Sequence, residues 1–258
     1  MNDKDGMGIG VADTVKRAGY DYLELSLSHL SKLDNSEFEA LESRLRSLGL
    51  PCESCNNFFP PTIHLTGAEA DHAAALRHAE HALARAARLG AEVVVFGSSG
   101  AKNVPAGFPH EVAWAQIVTL LRAIDPIAGK NGILIAIEPL NRKESNIVNT
   151  VQEGYQLMRE VNRPNIRLLV DFYHMSLEGE SLAALDEVAD SIVHFHIAEP
   201  ENRNFPNAAG KECFYDLFQK LREIQYQGRI SVESFSKNFE SDAVESLVLL
   251  RGLSAACT

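Results

Sequence analysis

The chain is poor in cysteine: four in 258 residues, too few to hold a disulfide scaffold at this length. Free thiols are therefore expected. It also lacks an apolar run of the roughly 18 residues that span a bilayer, and its start, MNDKDGMGIG, has neither the basic nor the apolar region of a signal peptide. A cytoplasmic location without a membrane partner follows as the default expectation. Positive charge is scarce, with 24 Lys and Arg against 35 Asp and Glu and a formal net charge of −11. Such a surface repels a phosphate backbone, so nucleic acid is not an expected partner. No Gly-rich phosphate-binding loop is present, which slightly favours an unphosphorylated small molecule as ligand. A Ser/Gly-rich linker, a composition shift and a low-complexity stretch are all missing as well, and residues 1–258 read as a single domain.

What is present is ordinary globular material, 45% hydrophobic and 23% charged, enough apolar side chain for the chain to bury a core of its own. Short apolar runs recur with helical segments between them, the alternation that signals parallel β-α-β units. Seven strands stand out: 22–27 (YLELSL), 51–58 (PCESCNNF), 92–98 (EVVVFGS), 133–140 (ILIAIEPL), 166–172 (IRLLVDF), 192–198 (IVHFHIA) and 229–235 (RISVESF). The fold class is α/β, a (β/α)8 TIM barrel whose first strand is short or missing, since only residues around Met7–Val11 can supply it. Helix punctuation supports this division. Ser36 with Glu39 and Thr150 with Glu153 fit capping boxes, and Gly49, Gly90 and Gly132 fall where helices end before a strand. Residues 68–89 form a long helix whose His72, His78 and His81 are read as packing or solvated side chains.

Cys52 and Cys55 make a C-x-x-C without a second pair. The segment reads as a strand, in which positions i and i+3 face opposite sides, so neither a redox nor a zinc role is expected of them.

In a β/α barrel the C-terminal ends of the strands converge on one face, where active sites are built. Glu138 ends one apolar strand, Asp171 the next, His196 lies late in the third and Glu233 late in the fourth, in consecutive β/α units. A lone carboxylate at a strand end is usually a helix cap or an ion-pair partner. Four groups in one register, buried in segments as apolar as ILIAIE and RLLVD, instead call for a compensating cation. Three carboxylates and an imidazole suit Mn²⁺, Mg²⁺ or Co²⁺ rather than a thiolate-seeking metal. His194 points to the same side of its strand as His196. The pattern leaves the choice between them open, and His196 is preferred only because it lies nearer the strand end. Beyond the strands follow Asn141, Arg142 and Glu144, then His174, then Glu199, Asn202 and Arg203. His174 and Arg203 can donate to substrate hydroxyls, and Glu144 can orient a hydroxyl or a neighbouring base. For Asn141, Arg142, Glu199 and Asn202, loop capping and surface charge serve as well.

The segments IEPLNRKE, LLVDFYHM, HFHIAEPENR and SVES resemble the sugar phosphate isomerase/epimerase superfamily with the xylose isomerase-like TIM barrel, above all its ketose 3-epimerase (D-tagatose/D-psicose 3-epimerase) branch. VFGSSGAKNVPAGFP and NNFFPPTIHLTG are similar to further segments of that family, so the likeness runs from about residue 15 onward. The resemblance implies metal ligands at Glu138, Asp171, His196 and Glu233, and substrate contacts at Glu144, His174 and Arg203. The chain departs from the branch in two places. Its amino-terminal strand is shortened, and Arg203 follows His196 by seven residues where the branch has six, with NFPNAAG in place of the usual Pro-Gly pairing.

The function so implied is a metal-dependent isomerase or epimerase acting on a ketose or related keto-sugar, by proton abstraction and a metal-stabilised enediolate. Glu138 and Glu233 are the catalytic acid-base pair in this reading. A small-molecule sugar is the expected partner, and the protein is expected to be a homo-oligomer, dimer or tetramer. Three alternatives stand beside it: a lyase or dehydratase on a keto-cyclitol or 3-keto-glycoside, a non-catalytic sugar-binding subunit, and an endonuclease on the same barrel, against which the negative charge counts.

Overall fold

The computed structural model describes residues 9–256. Seven parallel strands form one sheet in chain order: β1 (Leu23–Ser26), β2 (Cys52–Asn56), β3 (Val93–Phe96), β4 (Leu134–Ile137), β5 (Ile166–Asp171), β6 (Ile192–Ile197) and β7 (Arg229–Val232). Each lies inside one of the seven apolar runs read from the sequence. The principal helices are α1 (Ala12–Ala18), ahead of β1, and then one after each strand: α2 (Asn35–Leu48), α3 (His72–Leu89), α4 (His110–Lys130), α5 (Val151–Val161), α6 (Phe172–Leu177), α7 (Lys211–Glu223) and α8 (Phe239–Ala256). Among the described residues this is the TIM-barrel arrangement with one strand fewer. Of the segment expected to supply that strand, Met7 and Gly8 lie outside the described residues, while Ile9–Val11 forms a 3-10 turn leading into α1. Among the described residues β1 and β7 each have a single neighbour in the sheet.

Side chains bridge the gap where strands do not meet. Tyr22 Oη lies 2.9 Å from Ser231 Oγ, and Tyr20 Oη donates to Ala243 O on α8. Arg17 pairs with Glu240 and Arg251 donates to Gly19 O, tying α1 to α8 outside the gap.

Alternation along the strands sets the two faces. Val94, Phe96, Ile135 and Ile137 are buried under the helices. Val93, Val95, Ala136 and Leu169 form a separate small cluster on the other face, and the same parity carries Glu138 and Asp171 to that face at the strand ends. α4 is long and apolar enough to cross a membrane by length and composition. It is instead a core helix, with Ile117, Leu120, Leu121 and Ile124 fully buried.

Three local readings need correction. The first capping box belongs to Asp34 and Glu37, not Ser36 and Glu39: each carboxylate accepts the other residue's backbone N–H at 2.8 Å, so Ser36 falls inside the first turn. Thr150 does cap α5 by accepting the Glu153 N–H, but the Glu153 carboxylate takes the N–H of Asn149 instead of completing a box.

The third concerns Cys52 and Cys55, which do not face opposite sides: their Sγ atoms are 3.7 Å apart. The register accounts for it. Leu23 pairs with Cys52 but Glu24 with Ser54, so Glu53 is an extra residue bulged out of β2 and the alternation slips by one. Cys52, Cys55 and Cys213 are free thiols, and Cys257 lies outside the described residues.

Candidate metal centre

Pairing between strands brings the four candidate ligands together. Asp171 and His196 are register partners on β5 and β6. Glu233 follows β7, with its N–H on Ile197 O, and Glu138 follows β4, with its N–H on Phe96 O. One ligand atom from each of the four lies within 4.8 Å of the other three. His196 Nδ1 is 3.0 Å from Glu138 Oε1 and 3.4 Å from Glu233 Oε2. His194 does not join them. It sits deeper, with Nε2 on Glu24 Oε2 at 2.8 Å and Ser231 Oγ at 3.1 Å.

The electrostatics are those of a site built for a cation. Glu138, Asp171 and His196 are all buried. Burial, opposed by the His196 ring but reinforced by the neighbouring glutamates, pushes Asp171 up to about 7. Burial also raises Glu138, against the pull of His196. For Glu233 burial works upward too, but His196 and Arg203 outweigh it and hold the group down at about 2. Asp171 Oδ1 accepts the Tyr173 N–H, whereas its buried Oδ2 accepts no hydrogen bond. Three crowded carboxylates, one with an oxygen left over, fit a divalent ion with hard oxygen preference plus one imidazole.

The candidate substrate residues ring this centre. Arg203 reaches Glu233 Oε2 at 2.6 Å and both Glu144 oxygens at 3.2 Å, and its guanidinium stacks 4.9 Å from the Tyr173 ring. It sits in left-handed backbone at φ 52°, within a turn closed by Glu199 and Asn204 and attached to Phe235. The seven-residue spacing after His196 thus still delivers the guanidinium to the centre. His174 is buried beside Asp171, Nε2 to Oδ2 3.4 Å, and burial together with the Arg203 charge lowers it to about 3. It is a neutral ring. Asn141, one of the residues for which capping served as well, is buried and donates through Nδ2 to His174 Nδ1 at 2.6 Å and to Glu144 Oε1 at 3.2 Å. Arg142 instead pairs with Glu178 and Glu153 at the surface.

A cavity of about 690 Å³ opens over the centre and runs into the gap between β1 and β7. Glu138, Glu144, His174, Arg203 and Glu233 are among its walls.

Sequence reading missed four contributors. Glu24 binds His196 Nε2 from below at 2.7 Å, and Asn56 donates to Glu233 Oε1 at 3.0 Å. Lys102, wholly buried, donates to Glu138 O at 3.1 Å, and burial, partly offset by Glu138, lowers its ammonium to about 8. Gly97 leaves the space that the Glu138 carboxylate fills. Glu24 carries the same kind of signal as Glu138, a carboxylate in an apolar strand, here between Leu23 and Leu25.

Comparison with known proteins agrees with this architecture. Residues 12–253 match the model of the xylose isomerase-like TIM barrel family. The chain is 34% identical over 228 residues to the L-ribulose 3-epimerase of Methylomonas sp. (strain DH-1), covering 85% of this chain and 76% of that one. It is 26% identical to the 3-dehydro-D-guloside 4-epimerase of Escherichia coli (strain K12), over 85% and 84% of the two chains. The crystal structure of D-allulose 3-epimerase from Methylomonas sp. in complex with D-allulose superposes with a TM-score of 0.82 at 26% identity, covering 93% of this chain and 88% of that one.

Proposed function

The chain belongs to the xylose isomerase-like TIM barrel family, and from that premise we propose that it is a divalent-metal-dependent sugar epimerase of the ketose 3-epimerase kind. The observation that carries the reading is the meeting of Glu138, Asp171, His196 and Glu233 at adjacent strand ends, with a buried Asp171 oxygen unused by any donor. The ligands are these four, and Mn²⁺ is the ion that best suits them, ahead of Mg²⁺ or Co²⁺. Such an ion supplies electrophilic stabilisation for negative charge developing on a carbonyl oxygen and its neighbouring hydroxyl.

The chain's own residues do the rest. Glu138 and Glu233 come from non-adjacent strands, β4 and β7, and reach the centre from different sides. One removes the proton from the carbon next to the carbonyl and the other returns a proton, which inverts that carbon when the two act on opposite faces. His174, kept neutral and accepting from Asn141 through Nδ1, presents Nε2–H as a fixed donor to a substrate oxygen. Arg203 and Glu144, paired with each other, bind hydroxyls at the mouth.

The test is deuterium uptake from D2O into ketoses with added Mn²⁺. Wild-type exchange with product mass unchanged, abolished in Glu138→Gln and Glu233→Gln, supports the assignment. Undiminished exchange in both variants sinks it, mass loss marks a lyase or dehydratase, and sugar binding without any exchange marks an accessory subunit. The Escherichia coli relative, whose name places its substrate among keto-glycosides, makes a 3-keto-glycoside the second substrate class to try. We further take the protein to be a single-domain cytoplasmic homo-oligomer, dimer or tetramer, that binds neither nucleic acid nor membrane.

A further inference from the structure

We propose that Glu24 is a positioning residue for the metal centre: from the layer beneath, it holds the His196 imidazole in the orientation that turns Nδ1 toward Glu138, Asp171 and Glu233. The inference rests on the metal reading above and adds a residue to it.

The Glu24 carboxylate faces four donors. Oε2 accepts from Ser54 Oγ at 2.6 Å, Ser231 Oγ at 2.7 Å and His194 Nε2 at 2.8 Å. Oε1 accepts from His196 Nε2 at 2.7 Å. Three donors converge on Oε2, and His196 is the one donor at Oε1. With two serine hydroxyls and the His194 ring aimed at Oε2, the carboxylate is the acceptor toward its neighbours, so the His196 Nε2 that meets Oε1 carries the proton. The nitrogen left to bind a cation is Nδ1, the one that already lies 3.0 Å from Glu138 Oε1 and 3.4 Å from Glu233 Oε2. Moving the proton to Nδ1 would set a lone pair against the carboxylate, and turning the ring over would set a C–H there; either loses a charge-assisted bond.

The geometry of Glu24 itself is fixed from three strands. Ser54 is its register partner on β2, His194 stands on β6 and Ser231 on β7. Glu24 therefore transmits the positions of these strands to one imidazole. Partners behind metal-bound histidines are worth roughly tenfold to a hundredfold in metal affinity. The bland alternative is that Glu24 only staples β1 across the gap to β6 and β7, in which case its loss lowers stability and leaves the folded protein's metal affinity alone. Glu24, His194 and His196 also lie within 4.8 Å of one another as a possible ion site of their own, but both imidazoles already point a ring nitrogen at that carboxylate and two serine hydroxyls donate to its Oε2.

The experiment is Mn²⁺ titration of the full chain by calorimetry, with the His196 ring protons followed by nitrogen-15 NMR after loading with diamagnetic Mg²⁺. Expected are one Mn²⁺ per wild-type chain, a hydrogen-bonded Nε2–H on His196, and a roughly tenfold to hundredfold weaker Mn²⁺ affinity in folded Glu24→Gln. Glu24→Asp, which keeps the charge but withdraws the oxygen from His196, should weaken binding likewise. Affinity unchanged in both variants overturns the inference alone, as does a loaded wild-type His196 bearing its proton on Nδ1. Two Mn²⁺ per chain, with the second lost in His194→Ala, also overturn it. A wild-type chain that binds no divalent ion overturns the metal reading itself. Should neither variant fold, the wild-type Nε2–H resonance still decides.

Discussion

Gly97 stands so close to Glu138 that a β-carbon on it would collide with the Glu138 carboxylate. Gly97 follows β3 directly, and Phe96 pairs with Ile137 in the sheet, so the two residues leave neighbouring strand ends side by side. The glycine is there for space: it has none of the positive φ angles seen at Gly49 or Gly90.

Gly97→Ala should therefore leave the fold intact and displace the Glu138 carboxylate. A shift of about 1 Å in a reacting group costs on the order of a hundredfold in rate. Expected is a fall in kcat/KM of that order with weaker Mn²⁺ binding and a thermal midpoint close to wild type. Wild-type turnover in the alanine variant would mean that the carboxylate has room elsewhere.

Asn141 makes the second prediction. It donates to His174 Nδ1 and to Glu144, joining two candidate substrate contacts. Asn141→Ala removes the side-chain donor to a buried ring nitrogen that keeps the Asn141 backbone N–H, at a cost of about 0.5–1.5 kcal/mol in unfolding free energy by denaturant titration. Substrate affinity should fall with it, since His174 and Glu144 lose the side chain that joins them, although the Asn141 backbone N–H still meets Nδ1. Asn141→Asp is a sharper probe: a carboxylate facing Nδ1 favours the proton there and takes Nε2–H away from the substrate.

The strands and three of the four central carboxylate and imidazole groups are easy to read in the sequence, because a charged side chain at the end of an apolar strand is costly to bury without a partner. His194 and His196 stay level there, since both have the same parity. Only the third dimension separates them, through Glu24 beneath. Glu24 carries the same signal as Glu138 but lies in the middle of a strand, where attention to strand ends passes over it. Lys102 and Gly97 act through a backbone carbonyl and through empty space, neither of which leaves a compositional trace. The bulge at Glu53 is likewise invisible in the sequence, because strict alternation places Cys52 and Cys55 on opposite sides and nothing in the composition marks the slip.

Those two thiols yield a third prediction. Both are fully buried, and the hydrogen bond between the Cys55 thiol and Cys52 Sγ, with burial, raises the Cys55 thiol well above its ordinary value. A buried thiol held in its neutral form reacts slowly. In the native protein an aromatic disulfide reagent should modify Cys213 well before either, and Cys52 and Cys55 should react only at the rate of unfolding. Peptide mapping after a short exposure measures this, and early labelling of Cys55 would contradict the packing.

The last prediction concerns Glu180, whose carboxylate accepts the Val151 N–H at the start of α5. Burial, reinforced by the charges of Glu178 and Glu153, raises it from 4.5 to about 7 despite that bond. The sign follows from proton counts. Between these two values the folded chain holds a proton at Glu180 that the unfolded chain has released, so stability must fall as pH rises through this window. Glu180→Gln keeps an acceptor for Val151 and cannot ionise. Unfolding free energies by urea titration from pH 4.5 to 8 should show the variant gaining on the wild type up to about pH 7, with the difference constant above it. Parallel curves for the two proteins across the whole range would mean that Glu180 is hydrated well enough to ionise normally.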